Sequence, residues 1–206
     1  DGIFVAQLMC SHSMFKTNDL GNICHEHLEY YSYKSLKYLF EKNGLKIFKM
    51  SENEINGGSY RIYCKKNIKK SIKFKEKAGY KEIIDFIKRV KRNKQMTINF
   101  IKKMNKIGKK IFLYGASTKG NTLLQYYGLT SKEIPYAAER SKTKWGKYTI
   151  GSGVKIISEE NARKLKPDYF FVMPYGFIKE FLIREKKWLK EGGKFLLPYP
   201  KLKIVK

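Results

Sequence analysis

Ile111-Phe112-Leu113-Tyr114-Gly115-Ala116-Ser117-Thr118-Lys119-Gly120-Asn121 sets four consecutive apolar residues against a loop of small residues that carries one lysine. A short apolar run closed by glycine reads as a strand buried on both faces, the kind that parallel sheets use. Thr122 to Tyr127 then starts a helix. Small residues let backbone N–H groups approach a ligand, and a helix N-terminus favours an anion. Lys119 adds a full positive charge. The stretch is neither a Walker loop nor a complete GxGxxG, and a tight strand-to-helix turn without ligand is the competing reading.

Downstream, Tyr136-Ala137-Ala138-Glu139 reads as a second strand ending in an acid. Nucleotide-binding folds often place a ribose-binding acid there, and an ordinary exposed Glu is the alternative. Trp145, Tyr148, Gly146, Gly151 and Gly153 form an aromatic, glycine-rich loop, suited to fold over a base or a sugar or simply to lie on the surface. Tyr169 to Pro174 is a further strand, Ile178 to Leu189 a helix, and Lys194 to Pro198 a last strand. Alternating strands and helices give the fold class, α/β with a parallel sheet, and place ligands beyond the carboxyl ends of its strands.

Upstream, Ile3 to Leu8 reads as a buried strand and Cys10 to Gly21 as polar and turn-rich. Ser32 is a good N-cap for a helix through Leu36 and Phe40, stopped by Asn43-Gly44. Leu45 to Met50 and Ser59 to Cys64 read as two strands joined across residues 52–58, with Gly57-Gly58 supplying positive φ or close backbone approach. A strand, a helix and a closing hairpin end several doubly wound sheets. The opening Asp1-Gly2-Ile3-Phe4-Val5 reads like the middle of a strand, so the chain is expected to be a piece of a longer protein.

Between these elements stands His25-Glu26-His27, two of the three histidines in 206 residues flanking a carboxylate. Histidine takes or gives a proton near neutral pH, and an adjacent Glu can orient it and raise its basicity. A satisfied histidine pair in a turn is the plainer reading of the local sequence.

The net charge of +26 brings nucleic acid to mind, yet its distribution argues against it. Residues 65–110 hold 18 Lys and Arg against Glu76, Glu82 and Asp85. In the same stretch Ile83, Ile84, Ile87, Val90, Ile98, Ile101 and Met104 recur at helical spacing, so the lysines read as the wet face of an amphipathic helix over about 80–107. No apolar run approaches the roughly 20 residues a membrane span needs. Cys10, Cys24 and Cys64 are few, odd in number and without CxxC spacing, which fits a reducing cytoplasm rather than a disulfide framework. With His12, His25 and His27 they match no standard zinc spacing, so no metal is expected in this chain.

Taken in order, Cys24-His25-Glu26-His27-Leu28-Glu29-Tyr30-Tyr31-Ser32, Leu39 to Leu45, Asn56-Gly57-Gly58-Ser59-Tyr60-Arg61, Tyr114 to Leu124 and Gly192-Gly193-Lys194-Phe195 resemble one family. It is the SAM-dependent C-methyltransferases acting on nucleotide-linked keto-deoxysugars, of the type that methylates C3 of a 4-keto sugar. The resemblance covers nearly the whole chain. It implies an α/β chain in three parts: residues 1–65 as the C-terminal third of a SAM-binding Rossmann domain, 66–107 as a basic connector helix, and 108–206 as a Rossmann-like sugar-nucleotide-binding domain. Zinc and the glycine-rich SAM loop would belong to absent N-terminal parts, leaving most of the SAM site outside this chain. The implied chemistry has His27 remove the C3 proton, Glu26 tune it or touch substrate, and the enolate attack the SAM methyl group. Gly115, Ser117, Thr118, Lys119, Asn121 and Glu139 would face the nucleotide diphosphate. Cys24 stands where the family often has Tyr. The other function open to such a chain is a non-catalytic nucleotide-diphosphate-binding module.

Overall fold

The computed structural model of the chain describes residues 2–53 and 57–206, with Tyr175 described by its backbone alone. It divides into two compact units, Asp1–Asp19 with His25–Ile87, and Leu20–Cys24 with Lys88–Lys206.

The first unit contains β1 (Phe4–Met9), α1 (Ser11–Thr17), α2 (Tyr33–Lys42), β2 (Lys46–Asn53), β3 (Ser59–Lys65) and the start of α3 (Tyr80–Lys106). Its sheet has the order β1-β3-β2, with β3 antiparallel to both neighbours. The strand expected over Ile3 to Leu8 forms, but it is not buried. Among the described residues β1 pairs with β3 alone, and Phe4 and Val5 remain 47% and 51% exposed. The polar run after it is not simply turns. Met14 and Phe15 bury themselves in α1, Phe15 with its ring 5.2 Å from that of Phe86, and this packing outweighs the turn propensity of the surrounding residues. α2 starts as expected at Ser32, whose side chain accepts the Ser35 N–H while Ser35 returns the bond to the Ser32 N–H. Gly58 meets both demands read from the sequence: φ is +122°, and a Cβ there would fall 2.1 Å from Ser13 Cβ. Glu54, Ile55 and Asn56, part of the expected joining stretch, lie outside the described residues.

The basic segment 66–107 is helical only from Tyr80. Residues 66–79 instead form an extended strap on the first unit. Ile72 N–H donates to Ile47 O at 2.8 Å, and Ser71 Oγ accepts the Ile47 N–H and donates to Glu41. Ile72 and Phe74 pack on the core of Leu36, Ile47, Tyr60 and Ile62, with the Phe74 ring 5.4 Å from that of Tyr33. Glu76 then closes the arrangement. Its carboxylate accepts the Tyr33 N–H at 2.7 Å and the Lys34 N–H at 3.3 Å, which are unpaired donors at the start of α2, and the Tyr60 hydroxyl at 3.0 Å. Tyr60 is fully buried, and burial holds its phenol far above the ordinary range. Burial also pushes the Cys10 thiol up, so that it packs as an inert side chain.

The second unit holds the rest of α3, then β4 (Ile111–Tyr114), α4 (Thr118–Tyr127), β5 (Tyr136–Glu139), β6 (Lys155–Ser158), α5 (Glu159–Lys164), β7 (Tyr169–Val172), α6 (Ile178–Arg184), α7 (Lys186–Lys190), β8 (Lys194–Leu197) and β9 (Lys203–Val205). The sheet order is β6-β5-β4-β7-β8-β9, parallel throughout except for β9. β4 and β7 are buried at every residue, as their unbroken apolar runs require. The chain leaves β4 toward β5 and β6 on one side and returns to β7 and β8 on the other. The order therefore reverses beside β4, the place where open α/β sheets make a crevice. The 3-10 turn Leu20–Asn22 packs on α4. No helix among the described residues is long and apolar enough to cross a membrane.

Glu76→Ala strips the α2 N-terminus and the Tyr60 hydroxyl of their acceptor. The expected cost is about 2 kcal/mol in a urea unfolding curve. In the Glu76→Ala background, Tyr60→Phe should cost much less than it does in the unsubstituted chain.

Candidate functional site

A cavity of about 330 Å³ opens at the carboxyl ends of β4, β5 and β7, bounded by the 115–117 loop, Glu139, Arg140, Lys144, Pro174 and Phe177. Each bounding loop is short and fixed. Gly115 follows β4 with φ +87°, donates its N–H to Ala138 O, and lies so close to Pro174 that a Cβ would approach Pro174 Cγ to 3.1 Å. Only glycine takes that φ at this distance without strain. Ser117 caps α4, its hydroxyl accepting the Gly120 N–H at 3.1 Å.

α4 begins at Thr118, four residues before the helix expected from Thr122. Ser117 is the signal: a serine in extended conformation, three residues before a backbone N–H that it can accept, is an N-cap. Thr118, Lys119 and Asn121 therefore sit in the first helical residues rather than in a loop. Gly115, Ser117 and Glu139 line the cavity, while Thr118, Lys119 and Asn121 are not among its lining residues. Asn121 Oδ1 is buried and meets no hydrogen-bond partner among the described residues.

Glu139 is the brace between the β4 and β5 loops. One carboxylate oxygen accepts the Ala116 N–H at 2.8 Å and the other the Ser141 N–H at 2.9 Å. Lys144 Nζ donates to Ala116 O at 2.9 Å and lies 4.0 Å from the Glu139 carboxylate. Trp145, from the glycine-rich loop, donates its indole N–H to Glu139 O at 2.8 Å. Both carboxylate oxygens are thus engaged by the backbone, so any ribose hydroxyl would have to share them.

Behind the cavity, Tyr114 donates its hydroxyl to Glu185 Oε1 at 2.8 Å, and Arg163 donates to the same oxygen at 2.7 Å. Burial first, then the bond to Glu185 and its charge, hold the Tyr114 phenol well above the ordinary range. Its ring packs against Phe170, Phe181 and Phe195. At the rim, Arg184 pairs with Glu159 at 2.7 Å and with Glu180, and Arg140 reaches Glu180 at 3.4 Å. The sequence reading missed Arg140, Lys144, Arg163 and Arg184. In a chain with 44 Lys and Arg nothing local distinguishes four of them; Glu159 for Arg184, Glu185 for Arg163, Glu180 for Arg140 and the Ala116 carbonyl for Lys144 come from other elements, although Arg163 and Arg184 also have an acid four residues upstream.

His25-Glu26-His27 belongs to the first unit, as an exposed turn in which His27 is half-buried. His27 Nδ1 is shielded from solvent and meets no hydrogen-bond partner among the described residues.

The model of the family described as the C-methyltransferase C-terminal domain matches residues 54–200. C-methyltransferase NovU of Streptomyces niveus is 29% identical to the chain over 220 residues, an alignment that takes in all of this chain and 52% of that protein. The chain spans about half the length of the curated relative it matches.

Glu139→Ala leaves two backbone donors without their acceptor. We expect a loss of about 2 kcal/mol in unfolding free energy and weaker binding of any ligand that enters the cavity, read by denaturation and by titration calorimetry respectively.

Proposed function

Since this chain belongs to the C-methyltransferase C-terminal domain family, we propose that it serves a SAM-dependent C-methyltransferase whose substrate is a nucleotide-linked 4-keto sugar. The observation that carries this reading is the cavity at the carboxyl ends of β4, β5 and β7 in a chain of that family. Its volume suits the diphosphate and part of a sugar nucleotide, and it lies at the switch point where such ligands bind. Gly115 and Ser117 offer backbone approach, Glu139 holds the loop that does so, and Thr118, Lys119 and Asn121, at the start of α4 outside the cavity lining, would meet the diphosphate where it extends beyond the cavity. Residues 1–65 would be the end of the SAM domain, 66–107 the connector and 108–206 the sugar-nucleotide domain. The free cysteines suit a cytoplasmic enzyme.

A 4-keto group acidifies the hydrogen on C3. His27 takes that proton through an imidazole nitrogen, leaving the electron pair on the sugar as an enolate whose C3 is the nucleophile. The role is proposed from the resemblance carried by the His-Glu-His run and from the half-buried place of His27 in an exposed turn. Glu26, next in the chain, favours the imidazolium that forms. SAM supplies the methyl group. β1 runs through Cys10 directly into α1, without a glycine turn to take an adenosine, so no contact with the methyl donor is assigned to the first unit.

In the full-length polypeptide, with SAM and a nucleotide-linked 4-keto sugar, His27→Ala should slow methyl transfer by roughly 100- to 10,000-fold. An undiminished rate would leave the chain as a nucleotide-binding module and remove His27 from the chemistry. Lys119→Ala should weaken binding of the nucleotide diphosphate and leave binding of the bare sugar unchanged; equal losses for both would take Lys119 away from the phosphates.

A further inference from the structure

At the mouth of the cavity two guanidinium groups converge on one carboxylate oxygen. Arg184, at the end of α6, donates from Nη2 to Glu180 Oε1, and Arg140, directly after β5, reaches that oxygen from Nη1 at 3.4 Å. Arg184 is held independently on its other side, where Nη1 donates to Glu159 Oε1 at 2.7 Å. The two acids differ in their surroundings. The Glu159 side chain is 15% exposed, whereas that of Glu180 is 53% exposed, in the first turn of α6.

We infer that Glu180 occupies the place of a ligand phosphate, and that a diphosphate entering the cavity displaces it from Arg140 and Arg184. The inference rests on the nucleotide-diphosphate reading of the cavity and adds to it the side chains that grip the phosphates. Three cations (Arg140, Lys144 and Arg184) line the cavity against three acids (Glu139, Glu159 and Glu180), so the resting site is balanced. Glu139 cannot leave without abandoning the Ala116 and Ser141 N–H groups, and Glu159 is shielded and shared between Arg184 and Arg163. Among the described residues Glu180 makes only ion pairs with Arg140 and Arg184, near the surface, which contribute little to stability. Its departure converts a balanced pocket into a cationic one at the moment an anion arrives. Arginine is suited to the exchange, because its planar fork matches phosphate oxygens as well as carboxylate ones. Arg184, already fixed by Glu159, loses little freedom when it changes partner.

The test is titration calorimetry of the 206-residue chain with thymidine 5′-diphosphate, inorganic pyrophosphate and thymidine, with circular dichroism confirming that each variant is folded. Glu180→Gln keeps the shape and removes the competing charge. It should tighten thymidine 5′-diphosphate and pyrophosphate about two- to fivefold, the scale of a surface ion pair. Arg140→Gln, at an exposed position, should weaken both by about tenfold, and neither substitution should change binding of thymidine. Diphosphate binding that is the same in the unsubstituted chain, Glu180→Gln and Arg140→Gln would overturn the displacement and leave the nucleotide reading standing. No diphosphate binding to the unsubstituted chain or to Glu180→Gln would overturn both.

Discussion

Glu185 is a carboxylate only 1% exposed, and the second unit is organised around keeping it paired. Removing such a group from water costs several kcal/mol unless donors replace the water. Tyr114 from β4 and Arg163 from α5 are those donors, while Glu185 itself stands at the break between α6 and α7. One oxygen thus ties a central strand to helices from two later parts of the chain. Tyr114 is also the last residue of β4, so the same bond sets where Gly115 leaves the sheet and where the cavity floor lies. The aromatic packing of Phe170, Phe181, Phe195 and Trp188 encloses this bond and excludes water from it.

The acids around the cavity illustrate how one residue type takes different duties from its surroundings. Glu139 faces backbone N–H groups and acts as a brace. Glu159, mostly shielded, acts as an anchor for Arg184. Glu180, in the open, acts as an occupant. Charge counting alone would treat the three as equal and would find no net attraction for an anion. Burial separates them: the shielded pairs are part of the architecture and the exposed one is not.

Much of the second unit was legible because parallel strands are buried on both faces and must be written as unbroken apolar runs. Ile111 to Tyr114 and Tyr169 to Val172 could hardly be anything else. β6 and β9 escaped notice because each is short and carries lysine on an exposed position. The cap at Ser32 was legible and the cap at Ser117 was not, since the small residues around Ser117 read equally as a loop. The strap shows the opposite failure. Ile72-Lys73-Phe74-Lys75-Glu76-Lys77 alternates with a period of two, the pattern of an extended segment with one face down, but the surrounding lysines drew it into the basic helix. Of the site residues, Gly115, Ser117 and Glu139 carried local signals. Arg140, Lys144 and Arg184 gained their place at the cavity through Glu180, the Ala116 carbonyl and Glu159, which the fold brings to them.

The strap also bears on how this chain would be cut and degraded. Lys69, Lys70, Lys73, Lys75 and Lys77 are all exposed, and among the described residues the segment joins no strand ladder; one backbone bond to Ile47, a few side-chain bonds and two apolar anchors hold it down. Segments held this way open more readily than the cores they cover, in brief excursions that do not require global unfolding. A lysine-directed protease would sample those openings first, and a cut there would leave the α2 N-terminus and the Tyr60 hydroxyl bare. The lysines that make the strap cationic are therefore also the places where such a protease would find its cuts, and the survival of the unit would depend on how often the strap lifts as well as on the packing beneath it.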